Sequence, residues 1–109
     1  MEIDDTGRFS DPSLLILTSL ADGPKHGYAM TRDIEDFAGV ALGPGTLYGA
    51  IARLEERGLI EALPAGDRRK PYGLTRDGSH ELAARLRGMA RFATIGLARL
   101  GAASVMDCK

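Results

Sequence analysis

The sequence predicts a mainly α-helical domain with one small β-hairpin and a long C-terminal helix. Three observations support this prediction. Short segments in the first half carry apolar residues at helical spacing, a charged and turn-rich segment lies between two short apolar runs, and the last third carries apolar residues every three or four positions. With 109 residues, 44% of them hydrophobic and 27% charged, the chain has the size and composition of one globular domain.

The first predicted helix follows an acidic arm. Residues 1–11 are polar without an apolar period, and we expect them to be flexible. Asp11 and Pro12 are typical of the cap and the first position of a helix. The helix then carries the apolar run from Leu14 to Leu20 and ends before the turn residues 22–24.

Two further helices are predicted in the first half of the chain. The second runs from about His26 to Phe37, is closed by Gly39, and has an apolar stripe formed by Met30, Ile34 and Phe37. The third opens at Pro44 and ends at Arg57 with Gly58 in the position after the cap. Its apolar face is formed by Leu47, Ile51 and Leu54.

A hairpin and a long helix complete the prediction. Strands are expected at 59–63 and 72–74 around a charged tip, and Thr75 is expected to cap a helix from about Arg76 to Gly101. We divide the chain into an arm (1–11), a domain (12–75), a dimerisation helix (76–102) and a tail (103–109). The order of three helices, a hairpin and a helix is that of a winged helix-turn-helix, whose hairpin is the wing.

The apolar stripe of the last helix predicts a homodimer. Its spacing is close to that of a coiled-coil seam, and it spans about five turns, more than a domain this small can cover. Packing of the stripe onto its own domain is the alternative. The predicted dimerisation residues are Leu82, Leu86, Met89, Ala93, Leu97 and Leu100, and the arginines of the helix (Arg85, Arg87, Arg91 and Arg99) are expected to face water or to pair across the dimer.

The start of the third helix is a candidate DNA-binding element. Pro44 fixes the entry of the helix, Gly45 permits close approach, and the N–H groups of a first turn suit a phosphate. Small residues would let the helix lie deep in a major groove. The residues off the apolar stripe are Thr46, Tyr48, Gly49, Ala50 and Arg53. On the helical pattern alone, an ordinary amphipathic helix with a surface arginine fits equally well.

Charge is distributed unevenly along the chain. The net charge is −1, but residues 43–76 contain six arginine or lysine residues against four acidic ones. Arg68, Arg69 and Lys70 are adjacent at the predicted wing tip, where they could neutralise phosphates beside a groove. A solvated charged turn is the alternative interpretation.

The sequence resembles the PadR family of bacterial transcriptional regulators from about residue 14 to residue 86. The resemblance is carried, in this order, by Gly23-Pro24, His26-Gly27-Tyr28, residues 44–48 (PGTLY), residues 53–60 (RLEERGLI), and residues 72–75 (YGLT) followed by Gly78. Two positions depart from the family pattern: Gly43, where serine is frequent, and Gly49, where proline is common.

This resemblance implies a winged helix dimer on a palindromic operator. By the same resemblance, the helix that opens at Pro44 is the recognition helix, and Thr46, Tyr48 and Arg53 face DNA. His26 and Tyr28 belong to the element before it, and we assign the neighbouring Lys25 to the interface as well. We expect a cytoplasmic repressor that binds double-stranded DNA and has no membrane contact.

Other classes of function have weaker support. The sequence shows no pattern of an enzyme, no cofactor motif and no metal site, since His26, His80 and Cys108 are few and scattered. Cys108 is expected to be an incidental thiol. A winged-helix module that binds proteins is one alternative. Another is a ligand-responsive sensor whose pocket, near Met89 and Phe92, lies at the dimer interface and takes a small-molecule inducer of unknown identity.

Overall fold

The order of helices and strands is the predicted one. The structure, a computed structural model, describes residues 11–64 and 70–107, with side chains as far as Gly101. Its elements are α1 (Pro12–Leu20), α2 (Gly27–Ala38), α3 (Pro44–Glu56), β1 (Ile60–Ala62), β2 (Tyr72–Leu74) and α4 (Arg76–Asp107). β1 and β2 pair as an antiparallel hairpin in which Ile60 lies opposite Leu74. The domain is therefore a winged helix-turn-helix.

The core is built around α1. This helix contacts α2, α3, α4 and β2, so it is apolar on nearly every side rather than on one stripe. α2 contributes Met30 and Ile34, both fully buried. The other core residues come from α1, from α3 and from the segments that follow it: Leu14, Leu15, Ile16, Leu17, Leu20, Leu47, Ala50, Ile51, Leu54, Leu59, Ile60 and Leu82.

Three helix boundaries follow their predicted caps. Asp11 caps α1 by accepting hydrogen bonds from the N–H groups of Ser13 and Leu14 at 3.0 and 3.4 Å. Gly39 ends α2 and Gly58 ends α3, both with positive φ. At Gly58 the N–H of Leu59 donates to the carbonyl of Leu54, and the N–H of Gly58 donates to Glu55. This pair of bonds is a Schellman motif.

Several predictions about α1 and α2 are corrected by the structure. Asp11, which the domain division placed at the end of the arm, is the predicted cap of α1, and residues 1–10 lie outside the described residues. α2 begins one residue later than predicted because His26 is its cap. Phe37, assigned to the apolar stripe, remains 47% exposed because it lies at the end of α2, where the core of this single chain no longer covers it.

The prediction for α4 is corrected at both ends. Leu82 is only 4% exposed and belongs to the core of its own chain, so it is not available to a second copy. Arg85 does not face water freely, because it donates to Asp11 Oδ2 at 2.9 Å. The helix continues past Gly101 to Asp107. A glycine costs a helix about 1 kcal/mol but does not end it unless the following residues turn away.

The start of α4 is locked to the end of α3. The Thr75 hydroxyl donates to the carbonyl of Gly58 at 2.6 Å and accepts from the N–H of Gly78 at 3.0 Å. The backbone of α4 passes so close at Gly78 that an added Cβ would lie 2.9 Å from the carbonyl carbon of Leu59 and closer still to its oxygen. Only glycine fits this crossing, because a backbone carbonyl cannot swing aside.

We expect Gly78→Ala to lower the free energy of unfolding by about 1–3 kcal/mol, the usual cost of forcing extra atoms into a packed site. Urea denaturation followed by circular dichroism measures it. Gly88→Ala is the matched control on the same helix, since nothing lies within 4 Å of its added Cβ. That control should be neutral or stabilising by up to about 1 kcal/mol. Equal losses in the two variants would contradict the crossing.

Candidate nucleic-acid interface

The N-terminus of α3 is open to solvent. Gly43 provides no side-chain cap, and Pro44, Gly45 and Thr46 are all exposed. The N–H groups of a first helical turn have no acceptor within their own helix. The positive end of the helix dipole therefore points outward, unshielded by a capping oxygen, and suits an anionic group.

The outer face of α3 carries most of the predicted contact residues. Thr46, Tyr48 and Arg53 are exposed, and Gly49 is half-buried. Ala50 is fully buried and belongs to the core, so the prediction that it lines the outer face was wrong. The error arose because alanine is small and occurs on both buried and exposed faces of a helix, so its identity does not show on which face it lies.

Tyr48 rests on the backbone of Gly27. A Cβ added at Gly27 would lie 2.7 Å from Cζ of Tyr48, and closer to its hydroxyl oxygen. The ring covers the first residue of α2 while remaining 52% exposed. This contact joins the two helices of the helix-turn-helix. It was missed from the sequence, although the glycine between His26 and Tyr28 is the residue that permits it.

A shallow hollow of about 300 Å³ lies between the starts of α2 and α3. It is bordered by the two tyrosines of the predicted interface, so both rings are presented on one surface. Its lining residues are Gly27, Tyr28, Thr31, Leu42, Pro44, Leu47 and Tyr48.

The start of α2 presents a tyrosine and an arginine together. Tyr28 is 64% exposed, and its hydroxyl accepts a hydrogen bond from Arg32 Nη1 at 3.0 Å. The Arg32 guanidinium lies 5.8 Å from the ring centroid, within cation–π range. The hydrogen bond from Arg32 to Tyr28 raises the pKa of Arg32 above its ordinary value. The spacing of four residues between Tyr28 and Arg32 is a signal in the sequence that could have indicated this pair.

His26 and Lys25 have structural contacts of their own. His26 caps α2, its Nδ1 accepting from the N–H of Ala29 at 3.4 Å. The Lys25 side chain is only 18% exposed, and its ammonium donates to the carbonyl of Ser19 at 2.6 Å and to Asp22 Oδ1 at 2.5 Å. These acceptors turn the ammonium toward the protein, which contradicts its assignment as a DNA contact.

The wing emerges beside β1 and β2. The N–H of Leu63 donates to the carbonyl of Pro71 at 2.9 Å, which extends the hairpin beyond the paired strands. Lys70 is exposed. Arg68 and Arg69, predicted at the tip, lie outside the described residues.

The outer half of α4 exposes a broad apolar surface. Leu86, Leu97 and Leu100 are 41%, 66% and 65% exposed, and Ala93 is also exposed, whereas Met89 packs against the core. Phe92 and Ile95, which lie off the predicted stripe, are 81% and 44% exposed. The apolar surface is therefore wider than the predicted seam.

An apolar groove of about 320 Å³ adjoins this surface. It lies between α1, the end of α2 and α4, and Met89 lines it as expected, whereas Phe92 does not. The lining residues are Leu14, Leu15, Thr18, Phe37, Ala38, Leu86 and Met89.

Within residues 11–64 and 70–107, no helix is both long and apolar enough to span a membrane. The same part of the chain holds no group of three His, Cys, Asp or Glu side chains that could bind a metal ion.

Residues 16–84 match the model of the transcriptional regulator PadR-like family. The chain belongs to this family. The matched range covers the second half of α1, then α2, α3, the hairpin and the start of α4, so it includes the outer face of α3 described above. Its members are transcriptional regulators, and the PadR-like assignment accounts for the winged helix-turn-helix.

Solved structures support the same assignment. A PadR family transcription regulator from Clostridium difficile is 26% identical with a TM-score of 0.69, covering 82% of this chain and 96% of that one. A transcriptional regulator from Clostridium thermocellum is 25% identical with a TM-score of 0.68, covering 77% and 84%. A PadR-like regulator from Bacillus cereus, at 20% identity and a TM-score of 0.72, covers 82% and 90% and shares the fold.

A closer relative in sequence is an uncharacterized 37.1 kDa protein of a transposon from Streptomyces fradiae, 46% identical over 84 residues. The match covers 77% of this chain but only 24% of that protein, so the chain spans about a quarter of that relative's length.

We expect Gly27→Ala to displace the ring of Tyr48 with little loss of stability. The ring is half exposed and can swing away from the new Cβ, so the free energy of unfolding should change by less than about 1 kcal/mol. Fluorotyrosine at position 48, observed by ¹⁹F NMR, reports the displacement. Gly45→Ala is the control, because its added Cβ meets nothing within 4 Å. An unmoved resonance in Gly27→Ala would contradict the contact.

Proposed function

We propose that this PadR-family chain is a sequence-specific, DNA-binding repressor that acts as a homodimer on a palindromic operator. The proposal rests on one observation above all: the outer face of α3, with its uncapped N-terminus, is open to solvent beside the start of α2. In this proposal α3 enters the major groove and the wing lies along the adjacent backbone. A dimer bound over a promoter in the cytoplasm would exclude the transcription machinery.

The proposed DNA contacts are of two kinds: contacts to phosphates, which position the protein, and contacts to base edges, which read the sequence. Three sets of groups would bind phosphates and so set the position of the protein along the DNA. They are the N–H groups at Gly45 and Thr46, the Arg32 guanidinium held by Tyr28, and the basic wing residues (Arg68, Arg69 and Lys70). Thr46, Tyr48 and Arg53 project from the groove-facing side of α3 and would read base edges, while Gly49 lets the backbone approach. His26 supports this surface as the cap of α2.

The exposed apolar surface of α4 supports the homodimer. α4 is 32 residues long, whereas the shorter dimensions of the molecule are only 26 and 20 Å. A helix of this length is roughly 48 Å long, so its outer half cannot be covered by its own domain. A partner helix would bury Leu86, Ala93, Leu97 and Leu100, with Phe92 and Ile95 widening the contact, and would place two α3 helices on half-sites about one helical turn apart.

A second candidate function is ligand-dependent regulation. The apolar groove lined by Leu14, Phe37 and Met89 adjoins the surface that the dimer would bury, so an apolar inducer bound there would bias how two copies pack. A thermal-shift screen with apolar aromatic compounds tests this candidate, and a concentration-dependent stabilisation that also weakens operator binding is the expected result.

Neutralising the wing should weaken binding to every DNA sequence alike. We expect the triple variant Arg68→Ala, Arg69→Ala and Lys70→Ala to reduce the slope of log K against log salt by about 0.9 for each phosphate contact that it removes. The measurement is fluorescence anisotropy on an operator chosen by binding-site selection from random DNA. Arg57→Ala is the control, because Arg57 lies at the opposite end of α3 and faces Glu81 at 3.6 Å. An unchanged slope in the triple variant would reject the wing contacts.

Charge on the outer half of α4 should separate the dimer. Leu97→Glu with Leu100→Glu places two carboxylates on the proposed seam, where burial of an unpaired charge is unfavourable by several kcal/mol. Sedimentation velocity should show monomers, with the circular dichroism of the domain retained because both leucines are exposed. Arg87→Glu reverses the charge at an exposed position off the seam and should leave the dimer intact. A monomeric wild-type chain at micromolar concentration would refute the homodimer.

A further inference from the structure

Lys25 lies where the wing meets the helix-turn-helix. Its N–H donates to the carbonyl of Tyr72 at 3.1 Å, and its carbonyl accepts from the N–H of Tyr72 at 2.9 Å. This bridge fixes the first residue of β2, two positions after Lys70, against the residue before the cap of α2. The backbone of Lys25 is therefore the joint between the returning strand of the wing and the start of α2.

The side chain of Lys25 fastens this joint to α1 and α2. Its ammonium donates to the carbonyl of Ser19 in the last turn of α1 and to Asp22 in the turn that follows. Asp33 Oδ2 of α2 lies 4.0 Å from the ammonium and accepts the hydroxyl of Ser19 at 2.7 Å. One residue thus connects α1, α2 and β2.

The chemistry of the joint favours a lysine. Ser19 is 1% exposed, and the carbonyl at the C-terminal end of α1 carries the negative end of the helix dipole. The ammonium donates to the Ser19 carbonyl and to the Asp22 carboxylate, and its positive charge lies 4.0 Å from the Asp33 carboxylate. Its hydrogen bond with Asp22 lowers the pKa of that carboxyl below the ordinary value.

We propose that Lys25 is a positioning residue for DNA binding: it holds the wing at a fixed place against α3 without touching DNA itself. The inference rests on the proposed function, because it concerns how the wing reaches the duplex. A basic wing gains affinity only if its charges arrive at the phosphates while α3 lies in the groove. A loosened wing must lose conformational freedom when it binds, and that loss lowers affinity.

Lys25→Met tests the proposal, because it retains the length and apolar stem of the side chain and removes the charge. We expect DNA affinity to fall about tenfold, the equilibrium equivalent of one charge-assisted hydrogen bond. Lys25→Arg keeps the charge and the donors and should restore most of the affinity. Asp22→Ala removes one acceptor at an exposed position, with a side chain 79% exposed, and should act in the same direction without unfolding the chain.

Lys70→Met is the matched comparison, since it makes the same change in an exposed lysine of the wing. Loss of a direct phosphate contact lowers the magnitude of the salt slope by about 0.9, so Lys70→Met should lower it and Lys25→Met should not. In the background of the wing-neutral triple variant, Lys25→Met should cause no further loss. A lowered salt slope for Lys25→Met, or an undiminished loss in that background, would overturn the positioning role.

Hydrogen exchange on the free protein tests the joint without DNA. The Tyr72 amide should exchange about tenfold faster in Lys25→Met and in Asp22→Ala than in the wild type, while the amides that pair β1 with β2 keep their protection. An unchanged Tyr72 amide would overturn the proposal. If the wild-type chain fails to bind any DNA at low salt, the proposed function fails, and the exchange rates still decide whether Lys25 holds the wing.

Discussion

The structure depends on the burial of one short helix. α1 has nine residues, and six of them are buried because α2, α3, α4 and the wing strand β2 all pack around it. A domain of this size has a small hydrophobic core, so a single apolar helix at its centre orients the elements that pack around it. The outer face of α3 is available to a partner only because its inner face, with Leu47, Ile51 and Leu54, is committed to α1 and its neighbours.

Polar residues at the ends of α1 extend its influence to the functional surfaces. At its start, Asp11 caps the helix and binds Arg85, which fastens α4 to the domain. At its end, the carbonyl of Ser19 is bound by Lys25, which fastens the wing strand and the start of α2. The surfaces proposed for DNA binding and for dimerisation are thus both tied to the buried helix α1.

Most of the fold could be predicted from local rules of sequence. Asp11, Gly39, Gly58 and Thr75 mark helix boundaries because their side chains or their backbone freedom satisfy the groups that a helix end leaves unpaired, and such rules need no knowledge of distant residues. The outer face of α3 was predictable for a related reason: the apolar stripe identifies the buried side of the helix, and the exposed side lies opposite it.

The errors concern residues whose surroundings are set by distant segments. Leu82 follows the spacing of a dimer seam, but the first turns of α4 lie on the core, and only the crossing at Gly78 reveals that. Lys25 is adjacent in sequence to the predicted interface, and its ammonium is turned inward by Ser19 and Asp33, which lie six and eight positions away. A cation beside a DNA-binding motif cannot be assigned to a phosphate until its acceptors within the chain are known.

The ion pair between Arg85 and Asp11 also affects the mechanics of the molecule. It fastens α4 near the place where the helix leaves the domain, so the outer half acts as a stiff lever anchored at its base. From Arg85 to Asp107 the helix extends roughly 33 Å, so a tilt of about 10° at that base would move its far end by roughly 6 Å. In the proposed homodimer, small changes in packing beside Leu86 and Met89 would therefore be amplified into large changes in the distance between the two α3 helices.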